Sequence, residues 1–152
     1  MVKEFIDFKN KRFLLLLIVI FGIFLRLVFF SGIGTSDDLA YSRYAYNIGK
    51  GIEQDSVLTL STRLGLIYPT SFFYRIFGIN DFSSVFFVLL TSVGSIILAY
   101  YFGKLLFNEK TGLIAAFLMS FFPLEVVNST KLLTDLPSAF FMALGVYFFL
   151  YA

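Results

Sequence analysis

Long apolar runs alternate along the chain with short polar segments. The runs cover about residues 13–31, 82–103, 112–127 and 136–152. The first run has 19 residues, which as a helix would span about 28 Å, close to the ~30 Å hydrocarbon thickness of a bilayer. The pattern predicts an all-α polytopic membrane protein with about four transmembrane helices.

Composition supports a membrane protein and removes several kinds of chemistry. Hydrophobic residues make up 59% of the chain and charged residues 14%, against about 45–50% and about 25% in soluble domains. The net charge of +2 argues against a nucleic-acid partner. Cys and His are absent, so thiol, imidazole and His/Cys zinc chemistry are excluded. Any metal would need oxygen ligands, as Mg²⁺ and Mn²⁺ prefer.

Basic residues predict the orientation of the first span. Lys9, Lys11 and Arg12 precede it, and Lys or Arg beside a first helix favours the cytoplasmic side. The alternative is a cleaved signal peptide, whose apolar region is about 7–15 residues long. The run here is longer, so we expect an uncleaved helix with a cytoplasmic N-terminus.

The segment 63–78 is apolar but contains Pro69 and Arg75. If it crossed the membrane, Lys104 and Lys110 would lie outside, against the positive-inside rule. We therefore expect an interfacial or re-entrant helix here, in a long outer loop with a second interfacial helix at about 37–49. In this prediction residues 1–152 form a single transmembrane domain with both termini inside.

Two acidic segments then face the same, non-cytoplasmic side. Asp37 and Asp38 follow the first span, and Asp135 precedes the last. Ordinary helix capping is the competing explanation for all three residues. Arg26 lies inside the first span. It either snorkels to the outer interface or orients an acid or a phosphate in an outer cavity.

Several motifs follow one another in a characteristic order. They are DDLAYSRYAYNIGKG (37–51), RLGLIYPTSFFYRIFG (63–78), YYFGKLLFN (100–108), GLIAAFLMSFFP (112–123) and TDLP (134–137). The ordered set resembles the N-terminal part of C-type (GT-C) glycosyltransferases, especially the protein O-mannosyltransferase and aminoarabinose-transferase relatives. The family's usual acid pair is Asp-Glu, where this chain has Asp37-Asp38.

The resemblance implies a function and a set of site residues. Such enzymes transfer a sugar from a polyprenyl-phosphate carrier to an acceptor protein or lipid, here on the outer face of the plasma membrane. Asp37 would be the general base, Asp38 would orient it, and Asp135 would be the second acid. A Mg²⁺ or Mn²⁺ ion, if present, would lie between Asp37 and Asp135. The residues expected to bind substrate are Arg26, Tyr41, Arg63 and Lys131.

Members of this family are longer, so we expect the chain to be a fragment that is inactive alone. Two other interpretations stay open. One is an oligosaccharyltransferase-like catalytic subunit, whose distinguishing motif would lie beyond residue 152. The other is a small non-catalytic membrane subunit or a piece of a transporter.

Overall fold

A computed structural model describes residues 8–34, 36–52 and 63–152, and every regular element in these ranges is a helix. This confirms the all-α prediction. Residues 53–62 of the expected outer loop lie outside the described ranges. The helices are α1 (Phe8–Val28), α2 (Asp37–Lys50), α3 (Leu64–Phe77), α4 (Asp81–Leu106), α5 (Glu109–Phe121), α6 (Pro123–Asn128) and α7 (Asp135–Tyr151).

Helix α4 forms the centre of the fold and contacts α1, α3, α5 and α7. Its 26 residues extend for about 39 Å. Within the described residues, α4 is the one helix both long and apolar enough to cross a membrane, and α7 is apolar but shorter. Lys11, Arg12 and Arg26 interrupt the apolar character of α1.

Contacts between side chains give the direction of each long helix. Lys11 pairs with Glu109 at 2.6 Å near the starts of α1 and α5. The Ser31 and Thr130 hydroxyls lie 2.9 Å apart beyond the other ends, so α1 and α5 run parallel. Aromatic rings of α4 contact rings of α7 in the same order along both helices. These ring pairs are Phe87–Phe141 and Tyr101–Tyr147, so α4 and α7 also run parallel.

Two glycines allow α4 and α5 to approach closely. A Cβ atom added at Gly103 would lie 2.7 Å from Gly112 Cα, and one added at Gly112 would lie 2.5 Å from the Tyr100 carbonyl oxygen. Small residues at such crossings let helix backbones touch, as is common between membrane helices.

The apolar run over 112–127, which we expect to be one span that frays near Pro123 and Glu125, forms two helices. Helix α5 ends at Phe121, and α6 starts at Pro123. Phe122 has ψ 117°, outside the helical region. The cause is Pro123, because a proline pushes the preceding residue out of the α conformation and has no N–H to continue the helix.

Helices are present at both positions where interfacial helices are expected, about 37–49 and 63–78, as α2 and α3. Gly51 ends α2 in the left-handed conformation, with φ 68°, which glycine adopts without steric cost. The Tyr74 hydroxyl of α3 lies 2.7 Å from both the Ser42 hydroxyl of α2 and the Ser84 hydroxyl of α4. The buried apolar core beneath α2 and α3 contains Tyr41, Ala45, Leu66, Ile67, Tyr74, Val85, Val88, Leu89 and Leu132.

Candidate functional site

The adjacent carboxylates at the start of α2 have different surroundings. Asp38 is buried, and its Oδ2 accepts a hydrogen bond from the Gly34 N–H at 3.1 Å. Asp37 is exposed, and its Oδ1 accepts a bond of 3.3 Å from the Ser36 hydroxyl. Asp38 therefore holds the loop before α2, whereas the carboxylate of Asp37 remains accessible.

Arg63 connects the two acidic segments. It occupies the N-cap position of α3, and its Nη1 donates a hydrogen bond of 2.9 Å to the Thr134 hydroxyl. Its guanidinium carbon lies 5.6 Å from the centroid of the Tyr41 ring, within the range of a cation–π interaction. Thr134 immediately precedes Asp135, and Tyr41 lies one helical turn after Asp37.

Tyr41 is the buried member of this group. Its side chain is 1% exposed, and its phenol oxygen has no hydrogen-bond partner among the described residues. Burial raises the pKa of Tyr41, the charge of Arg63 lowers it, and the nearby Asp37 and Asp135 raise it further. The charges of Arg63, Asp37 and Asp135 thus all act on the pKa of this phenol, which is neutral near pH 7.

A cavity of about 470 Å³ opens beside Arg63. Arg63 and Thr134 give it a polar edge, and Leu66 and Phe141 give it apolar walls. Gly65 also lines it, and a Cβ atom added there would meet nothing within 4 Å. The remaining lining residues are Pro137 and Ser138. The cavity therefore has room for a ligand between the first turns of α3 and α7.

Asp135 and Lys131 lie on the second acidic segment. Asp135 is exposed and begins α7, where the helix dipole favours an anion. Thr134 precedes it as N-cap without a side-chain capping bond, so its hydroxyl is free to accept from Arg63. Lys131 is half-buried and forms no ion pair with an acidic residue in the described part of the chain.

Arg26 lies inside the helix bundle and does not extend towards the outer interface. Its side chain is 1% exposed inside the bundle. Its Nε donates to the Ser92 hydroxyl at 2.8 Å, and its Nη1 donates to the carbonyls of Gly22 and Ser120 at 3.0 and 3.1 Å. The snorkelling alternative does not fit this position, because α4 and α5 supply acceptors at the depth of Arg26.

Sequence reasoning missed a further buried charged residue, Glu125. Its Oε1 accepts a 2.9 Å bond from the Ser92 hydroxyl, the same hydroxyl that accepts from Arg26. Glu125 also lines a cavity of about 230 Å³ between α4 and α7. The available signal was a carboxylate within an apolar run, which in a membrane protein marks a functional or paired residue.

A metal remains only an expectation for this site. Within the described residues no group of three or more acidic side chains is arranged to hold an ion. Asp37 and Asp135 would supply at most two protein carboxylates. This number suits Mg²⁺ when substrate phosphates complete its coordination.

Comparison with known proteins gives the class to which this arrangement belongs. The chain is one of the glycosyltransferases that use a polyprenyl-phosphate-linked sugar, a class of integral membrane proteins. Residues 64–152 match the family model of the dolichyl-phosphate-mannose-protein mannosyltransferases. This match covers more than half of the chain, and the chain belongs to that family. No curated protein and no solved structure matches the chain.

Proposed function

We propose that the chain is a single multi-pass domain with four spans, cytoplasmic termini and an outer acidic end. The directions of its helices support this topology. Helices that would cross in the same direction, α1 with α5 and α4 with α7, pack in parallel. Lys11, Lys104 and Glu109 lie together at one end, which is the cytoplasmic end in this proposal.

The short reach of α3 supports its assignment as an outer interfacial helix. Tyr74 and Phe73 of α3 contact Ser84 and Phe86, both in the first turns of α4. The 14 residues of α3 cover about 21 Å, less than the hydrocarbon thickness of about 30 Å. Helix α5 is also short, but α6 extends it beyond Phe122, whereas α3 leads directly into α4. Helix α3 therefore forms a cover over the outer end of the bundle.

The outer end transfers a sugar from a polyprenyl-phosphate carrier to an acceptor protein or lipid. The observation that carries this proposal is the contact of Arg63 with both Tyr41 and Thr134. It brings the segments of Asp37 and Asp135 together beside a cavity of about 470 Å³. The family match favours this function over the oligosaccharyltransferase-like and small-subunit interpretations.

Arg63 is the residue that binds the carrier phosphate. A guanidinium is permanently charged, and its planar set of donors matches a phosphate. Arg63 lies at the cavity edge with donors besides the Nη1 that bonds Thr134. The apolar walls at Leu66 and Phe141 accommodate the first part of the prenyl chain. Lys131 contributes positive charge from the neighbouring turn.

The transfer step requires a base, and Asp37 serves as that base. The acceptor hydroxyl oxygen attacks the anomeric carbon, and its proton passes to the Asp37 carboxylate. The bond between the anomeric carbon and the carrier phosphate oxygen breaks, and the phosphate leaves with the electron pair. Asp135 orients the acceptor, and Asp38 fixes the backbone from which Asp37 projects.

The test compares Asp37→Asn with Asp81→Asn, an exposed aspartate at the start of α4. Because we expect residues 1–152 to be inactive alone, each variant is joined to a C-terminal part that supports transfer, and its membranes are assayed for transfer from a polyprenyl-phosphate sugar and for retention of the carrier. General-base catalysis contributes about 10²- to 10⁴-fold, so Asp37→Asn should lose at least about 100-fold in turnover while still binding carrier. Equal turnover of the two variants would exclude Asp37 as the base.

A further inference from the structure

Arg26, Ser92 and Glu125 form a buried chain of hydrogen bonds that links three helices. Arg26 belongs to α1, Ser92 to α4 and Glu125 to α6. Each of the three side chains is more than nine-tenths buried. Buried charges in a bilayer need partners, and the Ser92 hydroxyl joins the cation to the carboxylate.

Arg26 also donates a hydrogen bond to a carbonyl at the C-terminal end of α5. Ser120 lies in the last turn of this helix, where carbonyl groups have no helical partner. The Pro123 break prevents α5 from continuing to satisfy them. Arg26 Nη1 bonds the Ser120 carbonyl oxygen at 3.1 Å, and a cation is favourable at this negative end of the helix dipole. Arg26 therefore contacts α5 directly and reaches α6 through Ser92.

The bend between α5 and α6 determines the direction in which the chain runs from α6 to the proposed site. After α6 the chain buries Leu132 in the same core as Tyr41, and two residues later Thr134 contacts Arg63. On the side of α7, Glu125 faces a cavity of about 230 Å³ rather than packed side chains. The hydrogen bond from Ser92 to Glu125 ties α6 to α4 on this side.

We infer that Arg26, Ser92 and Glu125 are positioning residues, which hold the bend between α5 and α6 and thereby place Thr134 and Asp135 opposite Arg63 and Asp37. The effect on sugar transfer rests on the proposed function, but the effect on geometry does not. Arg26 acts on the site from within the bundle and does not bind the carrier.

The geometric effect is measured with an engineered disulfide, since the chain has no cysteine of its own. Ser31 and Thr130 lie in hydrogen-bond contact, one beyond α1 and the other two residues after α6. Oxidation of the Ser31→Cys/Thr130→Cys pair in membranes reports the position of the segment after α6. We expect the cross-linking rate to fall several-fold when Ser92→Ala or Arg26→Met is added.

Ser95→Ala is the matched control. Ser95 lies about one turn further along α4, and its hydroxyl bonds the Thr91 carbonyl of its own helix. We expect this variant to cross-link at the unchanged rate. Ser92→Ala removes one hydroxyl and keeps both charges, so it tests the idea even if Arg26→Met fails to fold. Cross-linking at the same rate in Ser92→Ala and Ser95→Ala would overturn the inference, whatever the protein catalyses.

The transfer assay then separates positioning from binding. In Ser92→Ala we expect kcat to fall, because Asp135 is displaced, and the KM for the polyprenyl-phosphate sugar to rise by no more than it does in Thr134→Val, where only the bond to Arg63 is lost. When Ser31→Cys and Thr130→Cys are also present, forming their disulfide should restore kcat in this variant, and reduction should remove the gain. A variant with slower cross-linking but normal kcat would contradict the positioning role. Absence of transfer by the wild type, joined to its C-terminal part as in the assay above, would refute the proposed function and leave the cross-linking result valid.

Discussion

Arg63 contacts two residues that lie far from it along the chain, and a cavity opens beside it. Tyr41 and Thr134 are 22 residues before it and 71 residues after it, and the cavity lies beside it. The sequence indicates a cation beside an apolar helix. It does not indicate that the guanidinium connects two acidic segments, because that contact depends on how α2, α3 and α7 pack.

The bond between Arg63 and Thr134 gives a prediction at the scale of one hydroxyl. Thr134→Val removes the acceptor and keeps the shape of the side chain. A hydrogen bond of this kind contributes about 0.5–1.5 kcal/mol, and exposure of Arg63 keeps the effect near the lower end. We expect the KM for the carrier-linked sugar to rise about twofold to threefold, measured by steady-state transfer. Thr111→Val, at the start of α5, is the control, and an equal change in both variants would contradict the assignment.

Gly65 gives a second prediction, because it lines the cavity and has open space where a side chain would project. Gly65→Leu should fill part of the 470 Å³ cavity and abolish carrier binding. Leucine has a higher helix propensity than glycine by up to about 1 kcal/mol, so stability should not fall. Carrier retention and thermal unfolding in detergent measure the two effects.

Gly145→Leu is the matched control for Gly65→Leu. Gly145 is also a helical glycine with nothing within 4 Å of an added Cβ atom, and it lies in α7 away from the cavity. Normal carrier binding by Gly65→Leu, or an equal loss in Gly145→Leu, would mean that the cavity is not the carrier site.

At the scale of elements, the pair α4 and α5 depends on close backbone contact at Gly103 and Gly112. Gly112→Ala would bring a methyl group to 2.5 Å from the Tyr100 carbonyl oxygen, a backbone atom that cannot move alone. Overpacking of this kind costs about 1–3 kcal/mol. We expect a lower temperature of thermal unfolding in detergent than for the wild type. Gly145→Ala adds the same methyl group in open space and should not lower it, so equal loss in both variants would refute the close contact.

The break between α5 and α6 shows why the boundaries that apolar runs predict are less reliable than the presence of helix in those runs. The apolar run over 112–127 continues through Pro123 in composition, so hydropathy alone gives one span. The local rule for the residue before proline places the break at Phe122. At this break, Arg26 donates a hydrogen bond to the free carbonyl of Ser120. The sequence does not indicate this donor, because it comes from a neighbouring helix.

At the scale of the whole molecule, the proposed topology predicts opposite accessibility for the two ends of the bundle. Single cysteines at Ser36 and Asp135 should react with an impermeant maleimide added outside intact cells. A cysteine at Lys110, in the first turn of α5, should react only after permeabilisation. All three positions are exposed, so burial does not explain a difference. Ser36 and Asp135 labelled from opposite sides would refute the common outer face.

The family model begins at residue 64, so the match does not include the segment with Asp37 and Asp38. The link between this segment and the matched part is structural. It consists of the packing of Tyr41 beneath Arg63 and of the Ser42–Tyr74–Ser84 hydroxyl contacts. The proposal that Asp37 acts with Asp135 therefore depends on the tertiary arrangement of α2 and α3.

The sequence by itself determined the helical class, the approximate position of each helix, the absence of thiol and imidazole chemistry, and the family. These properties follow from local composition, periodicity and motif order, which need no knowledge of distant contacts. Tertiary structure decided that Asp38 turns inward, that Arg26 and Glu125 share Ser92, and that Arg63 meets Thr134. The physical reason is that a polar side chain takes the partner that packing brings within about 3 Å, and the Ser120 carbonyl that Arg26 meets lies 94 residues away along the chain.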